Sequence, residues 1–489
     1  MSLVPRSQER PFLIELLTEG KARQPLLALI ALFVGVIGGL AVVMLPSPLL
    51  GFIVVAGLIV AGVMLTSPLF SLVSAIAIIC LLPFGVIPVR VGLTFTFLEA
   101  TLLALSVVWL LRFSVHRDRQ DAKYITSPLD GAILLLIGLS LFALILSWKT
   151  SGTSDIIHNY FKFILSILVF FPVINLVRTQ RIMDMLVKAI MVLGSLAAFI
   201  GVGLYALSRP LQERLLVSLG RVGYPTDGRV LRFHEDDPSQ AQRATGTSVD
   251  PNSYGGMLVL IIALLLTQLF APKPLLKRWL IVLMLGVSGA ALALTYGRGA
   301  QVGAVALAVL ISFKYRRILL YALPAIVIGI AVLPSTFLWE RLMQGFAFQD
   351  EASKLRLEEY QNALNIIWRY PWFGIGFGPA PDPDLQAGVS SIYFTIAERT
   401  GLVGLAAFLF LVILYFIYIG SHFGKLRTER QKANLLGLMA GVIGALAVGV
   451  VDHYFFNPEF SHMAALLWIF IGLSVAQIKI GQAEEEASP

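Results

Sequence analysis

Residues 393–419, YFTIAERTGLVGLAAFLFLVILYFIYI, followed at once by residues 420–432, GSHFGKLRTERQK, decide the fold. The first run is long and apolar enough to cross the roughly 30 Å hydrocarbon core of a bilayer as a helix. The second places Lys425, Arg427, Arg430 and Lys432 directly at its end, where the positive-inside bias puts a cytoplasmic loop. The same alternation fills the chain. Of its 489 residues 57% are hydrophobic and 13% charged, and the mean hydropathy is +0.83. Those values exclude an ordinary water-soluble core.

Counting apolar runs of about 17 to 25 residues gives about 14 candidate spans, at 25–44, 48–66, 68–88, 93–112, 130–148, 160–177, 185–207, 254–271, 279–296, 299–313, 318–334, 393–419, 433–451 and 461–478. With the N-terminus in the cytoplasm, the inside loops hold Arg112, Arg117, Arg119 and Lys123, then Arg178 and Arg181, then Lys273, Lys277 and Arg278, then Lys314, Arg316 and Arg317, then the 425–432 cluster. Every clearly basic short loop falls on one side, which favours an even number of spans. The net charge of +8 is therefore explained by topology and does not point to nucleic acid. The single cysteine, Cys80, lies in an apolar run and excludes an intrachain disulfide or a cysteine metal cluster.

The expected architecture is an all-α polytopic transmembrane bundle of about 12–14 spans with two long external loops. Its parts are a cytoplasmic segment 1–24, read as preceding a retained span, membrane helices over 25–207, an external loop 208–253, and helices over 254–334. A second external loop 335–392, helices over 393–479 and a cytoplasmic tail 480–489 complete the chain. The first loop contains six arginines among acids. The second predicts an amphipathic surface helix over 351–370, with Leu357, Tyr360, Leu364, Ile367 and Trp368 on one face, opposite Glu358, Glu359 and Asn362. A run of glycines suited to tight turns follows over 371–379.

Several residues at the external ends suit chemistry on phosphate. Arg243 opens the run 243–254, RATGTSVDPNSY, and a guanidinium fork matches phosphate oxygens. The alternative is a helix N-cap by Asp250 or Asn252 beside a snorkelling arginine. Arg298, held between Gly297 and Gly299 in a very short turn, reads as a second anion contact or as an interfacial anchor. Arg356 on the surface helix reads by default as a solvated charge. Lys162 and Glu99 lie near span ends and either face an internal cavity or pair with each other or with an arginine. Of six histidines, His158, His234, His453 and His462 fall outside. His453 stands beside Asp452 at a span end, an arrangement that suits a general base with an orienting carboxylate. The sequence has no zinc-binding HExxH, no CxxC, no phosphate-loop GxxxxGK[ST] and no catalytic serine elbow.

Taken in order, 243–246 with Asp250, Pro251 and Asn252, then Gly297, Arg298 and Gly299, then Arg356 with Trp368 and 371–378, then Tyr393 with 401–405, resemble the O-antigen ligase and O-antigen polymerase superfamily of bacterial membrane glycosyltransferases. The resemblance covers about residues 240 to 410. It implies a metal-independent enzyme, without cofactor, that takes a glycan from a polyprenyl pyrophosphate such as undecaprenyl pyrophosphate and transfers it to a glycan or lipid acceptor during surface polysaccharide biosynthesis. It further implies a multi-pass protein of the cell (inner) membrane, both termini cytoplasmic, with its active site external or periplasmic. Arg243, Arg298, Arg356 and Lys162 are the expected pyrophosphate contacts, His453, Asp452 and Arg298 the catalytic group, and Tyr393 and Glu398 the acceptor or loop contacts. Members often carry a His-Asn or Asp-Asn pair ahead of the motif tyrosine, where this chain reads Ser390 and Ser391. Either the base falls to His453 with Asp452, to Glu398 or to an acid of the long loop, or the protein is not a ligase of the usual kind. A membrane transporter of a small solute or ion is the alternative class, for which interrupted spans and paired mid-membrane ionisable residues are the signature.

Overall fold

The computed structural model describes residues 62–64, 67–87, 94–115, 124–227, 230–316, 351–382 and 384–486. The expected spans over 25–44, most of 48–66, and 318–334 lie outside the described residues, as does the N-terminal segment. The rest is overwhelmingly helical: α1 Pro68–Leu81, α2 Phe97–Val115, α3 Asp130–Leu146, α4 Ser154–Leu168, α5 Phe170–Leu176, α6 Gln180–Ala206 and α7 Arg209–Ser218. There follow α8 Pro251–Phe270, α9 Arg278–Leu294, α10 Arg298–Lys314, α11 Glu351–Arg369, α12 Ile392–Phe423, α13 Glu429–Val448 and α14 Ser461–Glu486. Two compact units divide the chain, one of Met1–Leu72 with Leu103–Tyr124 and one of Val73–Leu102 with Ile125–Pro489. The second holds all the residues discussed below.

Among the described residues, six helices are long and apolar enough to cross a membrane, and four shorter apolar helices accompany them. The chain is an integral membrane protein with an all-α polytopic bundle. The paired two-residue strands β1 Arg232–Phe233 and β2 Gln242–Arg243 merely pin the loop between α7 and α8. Helix starts follow capping chemistry: Asp250 accepts the Ser253 amide at the head of α8, and Thr428 forms a capping box with Gln431 at the head of α13.

The core of the second unit is α8 against α13, with α10 packed on both and α14 buried beside α4, α5 and α13. Small residues allow this. A Cβ on Gly303 of α10 would stand 2.9 Å from the carbonyl oxygen of Gly444 on α13, so the two backbones touch directly. That approach leaves little room to adjust. Gly303→Ala is expected to lower stability by roughly 1–3 kcal/mol through overpacking, measured as the loss of thermal stability of the purified protein in detergent. An unchanged melting temperature would mean that α10 can back away from α13.

One end of the second unit carries the basic residues at 178–181, 273–278 and 425–432. There Gln180, Asp184, Gln268, Asn434 and Gln477 form a buried hydrogen-bond network, in which Asn434 donates to Asp184 Oδ1 at 2.9 Å and Gln268 donates to Asn434 Oδ1 at 2.8 Å. Polar groups out of reach of water need such partners. The opposite end collects residues 207–227 and 230–250, the turn 295–297, the segments 371–382 and 384–391 and the turn 449–460, all within one connected unit.

Candidate functional site

Arg243 ends β2, and its guanidinium is committed to the local frame. Nε donates to the Thr295 carbonyl at 2.7 Å and Nη2 donates to Asn252 Oδ1 at 2.6 Å. The neighbouring Ala244 amide donates to the Leu294 carbonyl at 2.8 Å. The first long loop is thereby clasped to the α9–α10 turn. Burial pulls the Arg243 pKa down, and Asp250 and Asp452 oppose that pull. Two non-glycine residues with left-handed backbone flank the clasp, Val249 at φ 59° and Tyr296 at φ 52°. Strain of this kind persists only where surrounding contacts over-determine it, and it gathers at functional sites.

Arg298 is the first residue of α10 and is half-buried. The next residue explains its place: a Cβ on Gly299 would stand 2.8 Å from Asp452 Oδ2, so the Asp452 carboxylate lies against the start of α10. Arg356 Nη2 reaches to 4.0 Å from the same Oδ2. Arg356 therefore points into the protein and is not the solvated charge its helical position suggests. Asp452 itself is buried. Desolvation raises its pKa to about 7 from 3.8, against the pull of Arg356 and Arg243.

The side of α11 that meets the protein is not the stripe of Leu357, Leu364 and Trp368. Leu357, Leu364 and Trp368 are exposed, Ala363 and Ile366 are buried, and Arg356, Glu359 and Tyr360 are partly buried. Apolar periodicity cannot tell a protein-facing stripe from an outward one when the surroundings are themselves apolar. Here ion pairing and hydrogen bonds orient the helix. Glu359 Oε2 accepts the Ser390 amide at 2.9 Å, and the Tyr360 hydroxyl donates to the Ser390 carbonyl at 3.3 Å. Ile366 completes a small core with Ile375 and Leu385.

A polar cavity of about 430 Å³ opens beside this cluster, lined by Asn159, Glu359, Ser390, Thr395, Arg399, His453, Asn457 and Glu459 among others. His453 Nδ1 is buried and has no hydrogen-bond partner among the described residues. Burial lowers the pKa of His453, while Asp250, Glu359 and Glu459 act in the other direction. The expected orienting contact is absent: Asp452 turns towards Arg356 and α10, and makes no hydrogen bond or ion pair with His453. Adjacent side chains in this turn leave in different directions. Lys162 donates to Asn159 Oδ1 at 3.3 Å, next to the cavity wall. Glu99 pairs with His158 at 2.7 Å, and not with Lys162.

Glu398 and Arg399 lie where α12 is broken at Gly401, whose φ of 72° and ψ of −177° leave the helix. The freed carbonyls of Glu398 and Arg399 accept the amides of Ile375 and Gly376 at 2.9 Å and 3.0 Å, and Arg399 donates to the carbonyls of Gly376 and Gly378. The glycine-rich run is thus docked on the kink. Glu398 Oε1 accepts the Gly388 amide at 2.8 Å and holds the segment before α12. Tyr393 donates its hydroxyl to the Leu446 carbonyl at 3.0 Å, which ties α12 to α13. Sequence reasoning did not single out Glu359, Arg399, Asn159 or Asn457 as cavity residues. Two of these left a signal, since Glu359 follows Arg356 by three positions on one helical face and Arg399 adjoins Glu398 inside an apolar run.

Among the described residues, no three His, Cys, Asp or Glu side chains gather as a metal-binding group. Residues 283–409 match the family model described as O-antigen ligase. That segment includes Arg298, Arg356, Ser390, Tyr393, Glu398 and Arg399, while Arg243, Asp452, His453 and Lys162 lie outside it. The match supports the resemblance to the O-antigen ligase and polymerase superfamily. A comparison with curated proteins finds no match.

The Asp452 carboxyl yields a signed prediction. Between its ordinary 3.8 and about 7 the folded protein holds a proton that the unfolded chain has released, so this group makes stability fall as pH rises through that window. The thermal stability of Asp452→Asn is expected to decline less than that of the unsubstituted protein between the two ends of the window. Parallel curves would sink the assignment.

Proposed function

We propose that this chain transfers a glycan from a polyprenyl pyrophosphate carrier to a sugar or lipid acceptor at the outer face of the membrane, as a ligase or polymerase of surface polysaccharide. The observation that carries the reading is the convergence of Arg243, Arg298, Arg356, Asp452 and His453 at one end of the bundle, beside a polar cavity, next to a segment that matches the O-antigen ligase family. The basic loops at the other end support placing the cavity outside.

In this reading the acceptor hydroxyl enters the cavity and attacks the anomeric carbon of the donor. The new glycosidic C–O bond forms as the bond to the pyrophosphate oxygen breaks, and the electron pair leaves with the polyprenyl pyrophosphate. His453 takes the hydroxyl proton. Its lowered pKa keeps the imidazole neutral and able to accept at neutral pH. Arg298 and Arg356 stabilise the charge that grows on the leaving group, which is chemistry that needs no metal. Arg243 contributes mainly by fixing the turn that presents Arg298, because its Nε and Nη2 are already engaged. Lys162 extends the positive lining through Asn159. Tyr393 and Glu398 hold the segment that borders the acceptor. The gathering of these groups at a bundle end favours transfer at a lipid headgroup over passage of a solute.

The test is glycan transfer by purified protein from a polyprenyl pyrophosphate-linked donor. His453→Ala is expected to slow transfer by about 10²–10⁴-fold, the usual contribution of a general base, and Arg298→Ala by roughly 10²–10³-fold. Full activity of correctly folded His453→Ala would remove the base assignment. Transfer is also expected to persist in excess chelator, and a loss restored by a divalent cation would overturn metal independence.

A further inference from the structure

The end of the bundle away from the cavity carries a second feature. The first turns of α6 present Arg181, Met185 and Lys188 to an open groove of about 580 Å³, closed on its other side by Arg430 of α13. The carboxylate lining this groove, Asp184, is already satisfied. It lies 3.2 Å from Arg430 Nη1, and its Oδ1 accepts from Gln180 Nε2 at 2.7 Å and from Asn434 Nδ2 at 2.9 Å. The side chains of Arg181 and Lys188 make no hydrogen bond or ion pair among the described residues. Two cationic side chains thus line an open groove whose own carboxylate is engaged elsewhere.

The same face of α6 then turns apolar without changing direction. Arg181, Met185, Lys188, Val192, Leu196 and Phe199 follow one another at helical spacings of three or four and share one stripe. Val192, Leu196 and Phe199 are exposed, the last at 64%. From Lys188 to Phe199 the stripe rises about 16 Å at helical pitch, close to one leaflet of the roughly 30 Å hydrocarbon core. A soluble anion would use only the basic end. A lipid with an anionic headgroup matches both the charge and the length.

We propose that the groove at the start of α6 binds an anionic phospholipid, its phosphodiester between Arg181 and Lys188 and one acyl chain along Val192, Leu196 and Phe199. Basic pockets between membrane helices recognise phosphate headgroups in this way. The site is remote in the fold from His453 and does not rest on the transfer reaction.

Full-length protein in nanodiscs of equal phosphatidylglycerol and phosphatidylcholine tests this by native mass spectrometry of retained lipid. Unsubstituted protein is expected to retain phosphatidylglycerol preferentially, and Arg181→Gln with Lys188→Gln to lose roughly fivefold of that preference for each charge removed. The charge-conserving pair Arg181→Lys with Lys188→Arg is expected to keep it. Lys188→Gln alone serves if the double variant does not fold. Leu196→Asn with Phe199→Asn is expected to weaken retention while both cations remain. Undiminished phosphatidylglycerol retention by the folded Gln variants would overturn the site. Displacement of the lipid by millimolar inorganic phosphate, with no effect of the Leu196 and Phe199 changes, would overturn the lipid assignment in favour of a soluble anion.

Discussion

The buried carboxylate of Asp452 organises the candidate site. It lies in the turn after α13, against the start of α10, with Arg356 of α11 at 4.0 Å. Three elements far apart in the chain therefore meet on one charge. Desolvation makes ionising this carboxyl costly, and the nearby guanidinium groups of Arg356 and Arg243 oppose that cost. A buried charge of this kind adds little net stability, but it fixes which residues face one another. Arg243 complements it by clasping the first loop to the α9–α10 turn, so that Arg298 emerges at a defined point.

A second constraint acts through the backbone. The break at Gly401 releases carbonyls in α12 that a continuous helix would have used, and the amides of Ile375 and Gly376 take them. A Cβ on Gly374 would run into the Glu398 carbonyl, so the close approach requires glycine there. Two motifs that are separate in the sequence, 371–378 and 401–405, thus become one folded unit under the cavity. Arg399 seals it with hydrogen bonds to the carbonyls of Gly376 and Gly378.

The two ends of the bundle treat charge differently. At the cavity end, ionisable groups are partly desolvated and converge on a shared space, which is how perturbed titration and catalysis come together. At the other end, the polar network around Asp184 and Asn434 is closed on itself, while Arg181 and Lys188 remain turned outward. The closed network joins α6, α13 and α14, and it carries the cations on a rigid frame.

The sequence by itself determined the helical membrane bundle, because each apolar run must satisfy its backbone internally in a bilayer, and the described helices other than α7 and α11, which lie in the two long loops, fall on predicted runs. It also identified Asp250 as a cap candidate and Arg243, Arg298, Arg356 and His453 as residues of the same end, since alternating threading is a local property of loop charge. Pairings were not legible. The sequence placed Asp452 as the orienter of His453, whereas the fold turns it towards Arg356. It grouped Leu357, Leu364 and Trp368 on one face of α11 without showing which side meets the protein, a side the fold builds from Ala363 and Ile366 with Arg356 and Glu359 drawn in. Hydropathy measures transfer out of water and is blind to whether the apolar neighbour is protein or lipid. Which charge meets which, by contrast, depends on helix rotation and approach, and these are set by contacts such as Gly299 on Asp452 and Glu359 on the Ser390 amide that exist only once the helices have packed.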